Sequence, residues 1–405
     1  MDVELQVNNS AAPEARYVSW APAPCRVRVT NPSGATAPVN VTITGVSAAS
    51  GGAVVFRRGT TGSFSSSLTL SVPITGASVP FFVAGRFGRP SVNDRDVKIE
   101  ARAGATLVGS VEVMVRIRKN ANALTTGERD RFVSALAKLN NQGLGRFKDF
   151  RDMHVSVTLA QAHGAPGFLP WHRAYLLDLE RELQAIDASV ALPYWRFDQP
   201  APNIFTRDFL GASNAIGTVQ FNATNPLFFW KTDSAQGVNR TPDFPTSAAP
   251  PGLLTEAQTL ALGAQYRLFR RMEGNPHGFA HTSFGGFIQD PATAPRDPLF
   301  FLLHCNVDRL WAKWQRQNSR FDPGLVASYD SNPPSRLGHN LPDTMWPWNG
   351  LTGGTRPPTA PGGAMAGSPC VSAPGPSPRV QDCLDFHGAI NAVSHMGFDY
   401  YDVAL

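Results

Sequence analysis

At 405 residues the chain exceeds the usual size of a single core, so two domains are expected, each long enough to bury a core of its own. Its hydrophobic fraction of 42% is ordinary for a globular protein, and no run of about 18 apolar residues is present to cross a membrane as a helix. The formal charge of +5 is uneven, with 13 Lys and Arg against 7 Asp and Glu in residues 1–120, but no basic run interleaved with aromatics accompanies it, so a solvated face rather than a nucleic-acid partner is expected.

The start, "MDVELQVNNS", carries acids and lacks a basic stretch followed by an apolar one. Cytoplasmic residence is therefore expected, with export by another route left open. From Cys25 to Lys119 the apolar residues alternate: "CRVRVT" at 25–30, "VNVTIT" at 39–44, "SLTLSV" at 67–72, "DVKIEA" at 96–101 and "SVEVMVRIR" at 110–118. Runs of period two separated by Gly, Ser, Pro and Asn predict half-buried antiparallel strands, hence an all-β, sandwich-like N-terminal domain over residues 1–119. It holds no histidine, and no role follows from its sequence.

After residue 119 the period becomes helical. Thr125 or Thr126 caps a predicted helix running to Leu139, and further helices are expected at 146–158, 170–187, 254–272 and 297–318. Pro170 falls in the first turn of the third, where its missing N–H costs nothing. Long Pro- and Gly-rich loops at 199–252 and 320–385 are expected to form walls or covers of a site. The four cysteines are too few and scattered for a disulfide framework and none has zinc spacing, although Cys370 and Cys383 could pair in an oxidising compartment.

The chemistry is carried by histidine. Of nine, His154, His163 and His172 are spaced nine apart, His277 and His281 are four apart, and His304 follows within the apolar "FFLLHCNVDRLW". Imidazoles at i and i+4 of a helix share a face and can reach one ion. His154 and His172 flank a loop bearing His163, so three nitrogens can converge, and all-imidazole donors suit copper or zinc. On spacing alone, His277 and His281 are equally well read as structural, and His304 reads as a core histidine.

The stretches "HGAPGFLPWHRAYLLDLE", "NPHGFAHTSFGG" and "DPLFFLLHCNVDRLWAKW" resemble the tyrosinase family of type 3 copper proteins, which includes catechol oxidases and molluscan haemocyanin units, over roughly residues 124–403. The resemblance implies a mainly α domain over 120–405, a four-helix bundle holding two copper ions in a dinuclear type 3 centre with dioxygen as co-substrate. It implies that His154, His163 and His172 bind the first copper, and that His277, His281 and His304 bind the second. His339, His387 and His395 match no ligand position. Phe300 corresponds to an aromatic packed over the second copper in many members. Arg173 and Asp308 correspond to groups that fix the ligand-bearing helices, and Glu273 to a glutamate thought to hold a water, a candidate acceptor for a phenol proton. Equally, Glu273 reads as a solvated helix end.

The family's monophenol hydroxylases often have Asn where this chain has Gly278, which favours o-diphenol over monophenol oxidation. Gln161 stands where some members have a cysteine joined to the histidine by a thioether, so that link is not expected. The chain stops soon after "MGFDYYDVAL", so a C-terminal shielding domain is not expected either. Thr282 and "PATAP" at 291–295 are expected at the pocket rim, and Cys305 is expected to point away from the metal because neighbours on a helix diverge by about 100°. The expected activity is copper-dependent oxidation of phenols or o-diphenols by dioxygen to o-quinones. An o-aminophenol oxidase and a haemocyanin-like oxygen carrier are the alternatives, with a small phenolic or aminophenolic substrate and a copper-delivery protein as partners.

Overall fold

The computed structural model describes residues 1–140, 143–232, 236–241, 248–330, 337–352, 375 and 377–404. Cys370, and with it the pairing considered with Cys383, lies outside the described residues. The chain divides into two compact units, and no helix among the described residues is long and apolar enough to cross a membrane.

The first unit contains residues 1–117 and 395–404. Its strands are β1 (Asp2–Val7), β2 (Tyr17–Val18), β3 (Ala23–Asn31), β4 (Val39–Ser47), β5 (Val54–Arg57), β6 (Ser67–Val72), β7 (Val79–Gly85), β8 (Val97–Ala103) and β9 (Thr106–Val115). They form one sheet in the order β1-β3-β7-β5 and another in the order β2-β9-β8-β4-β6. Alternation works as expected in β3, where Cys25, Val27 and Val29 are buried while Arg26, Arg28 and Thr30 face water. Inward residues of both sheets, among them Val27, Phe56, Val41 and Ile99, share one apolar core. The strands β1, β2, β5 and β7 have no counterpart among the alternating runs: β2 is two residues long, β5 is four, and β7 is an apolar run containing Pro80.

Residues 395–404 belong with these sheets rather than with the helices, where the boundary at 119/120 had left them. The buried indole N–H of Trp20 requires an acceptor and donates to Tyr400 O at 2.9 Å, while Ala21 N donates to Asp399 Oδ2 at 3.0 Å.

The second unit carries α1 (Thr126–Leu139), α2 (Phe147–Met153), α3 (Leu159–Ala162), α4 (Phe168–Ile186), α5 (Glu256–Leu260), α6 (Tyr266–Phe269), α7 (Phe279–Thr282) and α8 (Leu299–Asn318). Thr125 caps α1 in a reciprocal capping box with Glu128. The expected helix 146–158 ends early: His154 leaves helical geometry (φ −131°, ψ 77°), and Thr158 Oγ1 accepts from Val155 N at 3.1 Å to begin a separate turn. The expected helix 254–272 is also interrupted. The first segment ends at Leu260, and Gly263 sits at φ +139°, outside helical geometry, where a Cβ would lie 2.7 Å from Leu268 Cδ1, so the turn between the two short helices is one that glycine fits.

The long helices α4 and α8 are tied by charge. Arg173 Nε donates to Asp308 Oδ1 at 2.7 Å, and Arg118, itself paired with Glu180 at 2.6 Å, reaches Asp308 Oδ2 at 3.3 Å, all four groups being buried. Arg173 also donates to Gln315 Oε1 (2.9 Å) and Cys383 O (2.8 Å), and its guanidinium lies 3.7 Å from the Trp311 ring centre. A buried pair held by this many contacts locks the register of two helices, whereas removing one member would strand a charge.

Candidate metal centre

Both histidine triads assemble. The donor atoms of His154, His163 and His172 lie within 4.8 Å of one another, as do those of His277, His281 and His304. The first triad comes from the end of α2, the end of α3 and the second turn of α4. In the second, Asn275 is extended, helical geometry resumes at Pro276 to place His277 and His281 on one face, and α8 supplies His304.

Hydrogen bonds fix the tautomers. His154 Nδ1 meets Pro291 O at 2.8 Å, His172 Nδ1 meets Phe168 O at 2.8 Å, His277 Nδ1 meets Glu273 O at 2.7 Å and His281 Nδ1 meets Ile288 O at 2.7 Å. A carbonyl oxygen only accepts, so each of these Nδ1 atoms carries the hydrogen and donates it, leaving the lone pair on Nε2. His163 Nδ1 does the same toward Glu273 Oε1 at 3.2 Å.

The Nε2 atoms then converge: His154 on His163 at 2.9 Å, His281 on His304 at 3.1 Å and His277 on His304 at 3.4 Å. Nε2 of His172 is buried without a partner among the described residues. The lone pairs of His154 and His163, 2.9 Å apart, repel each other unless a cation lies between them, and the donor set of both triads is nitrogen alone, which fits copper.

Electrostatics agree. Burial, followed by the neighbouring imidazoles, holds His154, His172, His277 and His304 well below the usual histidine range, and burial takes His281 down to about 4. At neutral pH these rings are uncharged, the form in which imidazole binds a metal.

The two triads touch. His172 and His304 stack with centroids 4.2 Å apart and 11° between planes, and His163 lies 5.8 Å from His277. Phe300, fully buried, lies 4.2 Å from the His304 ring and 5.0 Å from that of His154, so it packs between the triads rather than over one alone.

Glu273 has a definite place. Its Oε1 accepts from Gly164 N at 2.7 Å as well as from His163, so one carboxylate oxygen is committed to the loop bearing that ring. Gly278 is helical, and a Cβ on it would meet only Glu273 O at 3.5 Å. Thr282 is exposed, its hydroxyl turned back to Gly278 O at 3.0 Å. Pro291, expected only at a rim, also holds His154. Cys305 points to Leu192 O at 3.5 Å.

Sequence reasoning missed Phe168, whose buried ring lies 4.7 Å from His172, 4.9 Å from His277 and 5.3 Å from His163. Its position four residues before His172, on the same helical face, was the available signal. The three unassigned histidines fall elsewhere: His395 pairs with Ser19 Oγ at 3.2 Å, His387 packs on Phe386 at 3.9 Å, and His339 lies behind the His163 loop.

The family model for the common central domain of tyrosinase matches residues 144–317. The tyrosinase of Streptomyces glaucescens is 34% identical over 262 residues, covering 58% of this chain and 92% of that protein. The grixazone synthase of Streptomyces griseus is 29% identical over 307 residues, covering 59% and 95%. Among solved structures, deoxygenated haemocyanin from Rapana thomasiana aligns with a TM-score of 0.48 and 20% identity over 71% of this chain and 70% of that one.

Proposed function

The chain belongs to the tyrosinase family, and from that premise we propose that it oxidises o-diphenols to o-quinones with dioxygen at a dinuclear copper centre. We assign one copper to His154, His163 and His172, and the other to His277, His281 and His304. The observation that carries the assignment is the inward convergence of Nε2 atoms whose Nδ1 partners are tied outward. When bound, the copper pair supplies the redox chemistry by which two o-diphenols pass four electrons and four protons to one dioxygen, leaving two o-quinones and two waters.

The chain's own residues orient the ligands, exclude water and accept protons. Pro291 O, Phe168 O, Glu273 O and Ile288 O each aim one ring, and the buried rings of Phe168 and Phe300 keep the space between the triads apolar. Glu273 Oε2 is the nearby carboxylate oxygen left to take a substrate proton, Oε1 being engaged with the His163 loop. Gly278 offers no side-chain amide to hold a water beside it, which supports diphenol over monophenol oxidation. We read the helices of the second unit as the bundle that carries the site, and residues 1–119 as a sandwich-like domain whose role is unassigned.

Copper-reconstituted protein offered catechol, tyrosine and o-aminophenol in parallel tests this reading. Oxygen consumption with catechol well above that with tyrosine is expected. Preference for o-aminophenol would redirect the substrate assignment, and reversible oxygen binding without turnover of any of them would make the protein a carrier.

A further inference from the structure

His163 is the one of the six histidines that is only partly buried, its side chain 19% exposed, while the other five are buried. It lies where α3 has ended and α4 has not begun, so no regular hydrogen-bond ladder holds residues 163–167. Glu273 holds the start of this loop and Tyr266 OH donates to Pro166 O at 2.5 Å, while the segment 337–348 braces it from behind. Gly167 N donates to His339 Nδ1 at 3.1 Å, which puts the hydrogen of that ring on Nε2, and Nε2 donates to Ala160 O at 2.9 Å. One buried imidazole thus spans from three residues before His163 to four residues after it.

The fit is close on both sides. A Cβ on Gly167 would lie 2.6 Å from Gly338 O and 2.7 Å from His339 Nδ1, and a Cβ on Gly338 would lie 2.8 Å from Gln161 Oε1, so two glycines let the strands of chain meet. Gln161 Oε1 accepts from Trp346 N at 3.3 Å, two residues before His163. The clamp is itself braced, because His339 O accepts from Tyr329 OH at 2.8 Å and His339 N donates to Asp343 Oδ2 at 3.2 Å.

We propose that His339, seconded by Gln161, is a positioning residue for His163: it fixes the loop that presents this ring, and so sets how tightly one copper of the pair is held. The proposal rests on the assignment of His163 as a copper ligand. It distinguishes the two metals, since among the described residues the clamp engages only the support of the first triad.

The full chain and its His339→Phe and His339→Gln variants are titrated with copper against a competing chelator. Bound copper per chain is counted after desalting, and the thermal midpoint of each metal-free protein is recorded alongside. Phe keeps a ring but offers neither lone pair nor N–H, whereas Gln can accept from Gly167 N and donate to Ala160 O. Two coppers are expected in the parent chain. In His339→Phe one is expected to stay as tight as before while the other weakens about tenfold or more, with most of the loss recovered in His339→Gln. Should His339→Phe not fold, Gln161→Leu is expected to weaken one copper and spare the other. Equal weakening of both coppers, or unchanged copper affinity beside a lowered metal-free midpoint, overturns the positioning role. A parent chain that does not bind two coppers overturns the ligand assignment itself and the proposal with it.

Discussion

Glu273 Oε1 accepts a hydrogen bond from His163 Nδ1 at 3.2 Å, so a residue four positions before one histidine triad orients a member of the other. Its main-chain oxygen meanwhile holds His277 at 2.7 Å. Replacing Glu273 by Ala leaves the second contact and deletes the first. Weakening of one copper by about tenfold is expected, with a smaller effect for Glu273→Gln, which keeps an acceptor oxygen. Chelator competition on the three proteins reads this directly, and equal copper retention in all three would refute it.

Gly278→Asn is sterically open, because the helical backbone at that position accepts a side chain and its Cβ meets nothing closer than 3.5 Å. If a side-chain amide is what the site lacks for hydroxylation, the ratio of monophenol to diphenol oxidation should rise on the order of tenfold, equivalent to about 1.4 kcal/mol in relative barrier. Initial rates on tyrosine and catechol give the ratio. An unchanged ratio in a copper-replete variant would remove Gly278 from the specificity argument.

Metal-free protein should lose stability in acid. The folded-state pKa of His281 is down at about 4 through burial, and His154, His172, His277 and His304 are displaced the same way. Between the unfolded value near 6.5 and the folded value, the unfolded chain binds more protons, so stability is present above about pH 6.5 and declines as pH falls toward 4. Each such ring contributes a slope of about 1.4 kcal/mol per pH unit. Copper should raise the urea midpoint most at neutral pH and progressively less in acid, as protons compete for Nε2. A midpoint independent of pH from 7 to 5 in the metal-free protein would contradict the buried neutral rings.

Asp178 acts with the opposite sign. Burial pushes its carboxyl up to about 6, against an ordinary value of 3.8; Oδ2 accepts from Trp348 Nε1 at 3.0 Å, and Oδ1 is buried without a partner among the described residues. Here the folded state holds the proton longer, so the contribution is fully present below about pH 4 and is lost as pH rises through about 6. Asp178→Asn should therefore stabilise the protein at pH 7 on the order of 2 kcal/mol, with the difference vanishing near pH 4. Denaturant titrations of both proteins at the two pH values measure it.

His154, His163 and His172 were legible in their spacing, which survives in a one-dimensional string, and the capping box at Thr125 and Glu128 because a cap is local; His277, His281 and above all His304 were legible only through the family resemblance, since their spacing alone also suits structural or core residues. The carbonyls of Pro291, Ile288 and Phe168 were not, since every residue carries a carbonyl and only the fold selects which one faces a ring. Nor was the clamp on the His163 loop, built from residues 172 positions apart in Gly167 and His339. The same holds for Trp20 and Tyr400, where a buried indole finds its acceptor 380 residues away. The helix expected at 254–272 is broken around Gly263, whose composition signal was visible but whose close neighbour Leu268 was not.

The stacked rings of His172 and His304 occupy a common slot bounded by Phe168 and Phe300. Truncating either ring would leave an imidazole-sized void against the face of the other, in surroundings too rigid to collapse fully into it. Single-ligand knockouts at these two positions would consequently report on both metals at once. A genuinely one-copper variant would have to be sought among the four ligands outside that stack, His154 or His163 for one metal and His277 or His281 for the other.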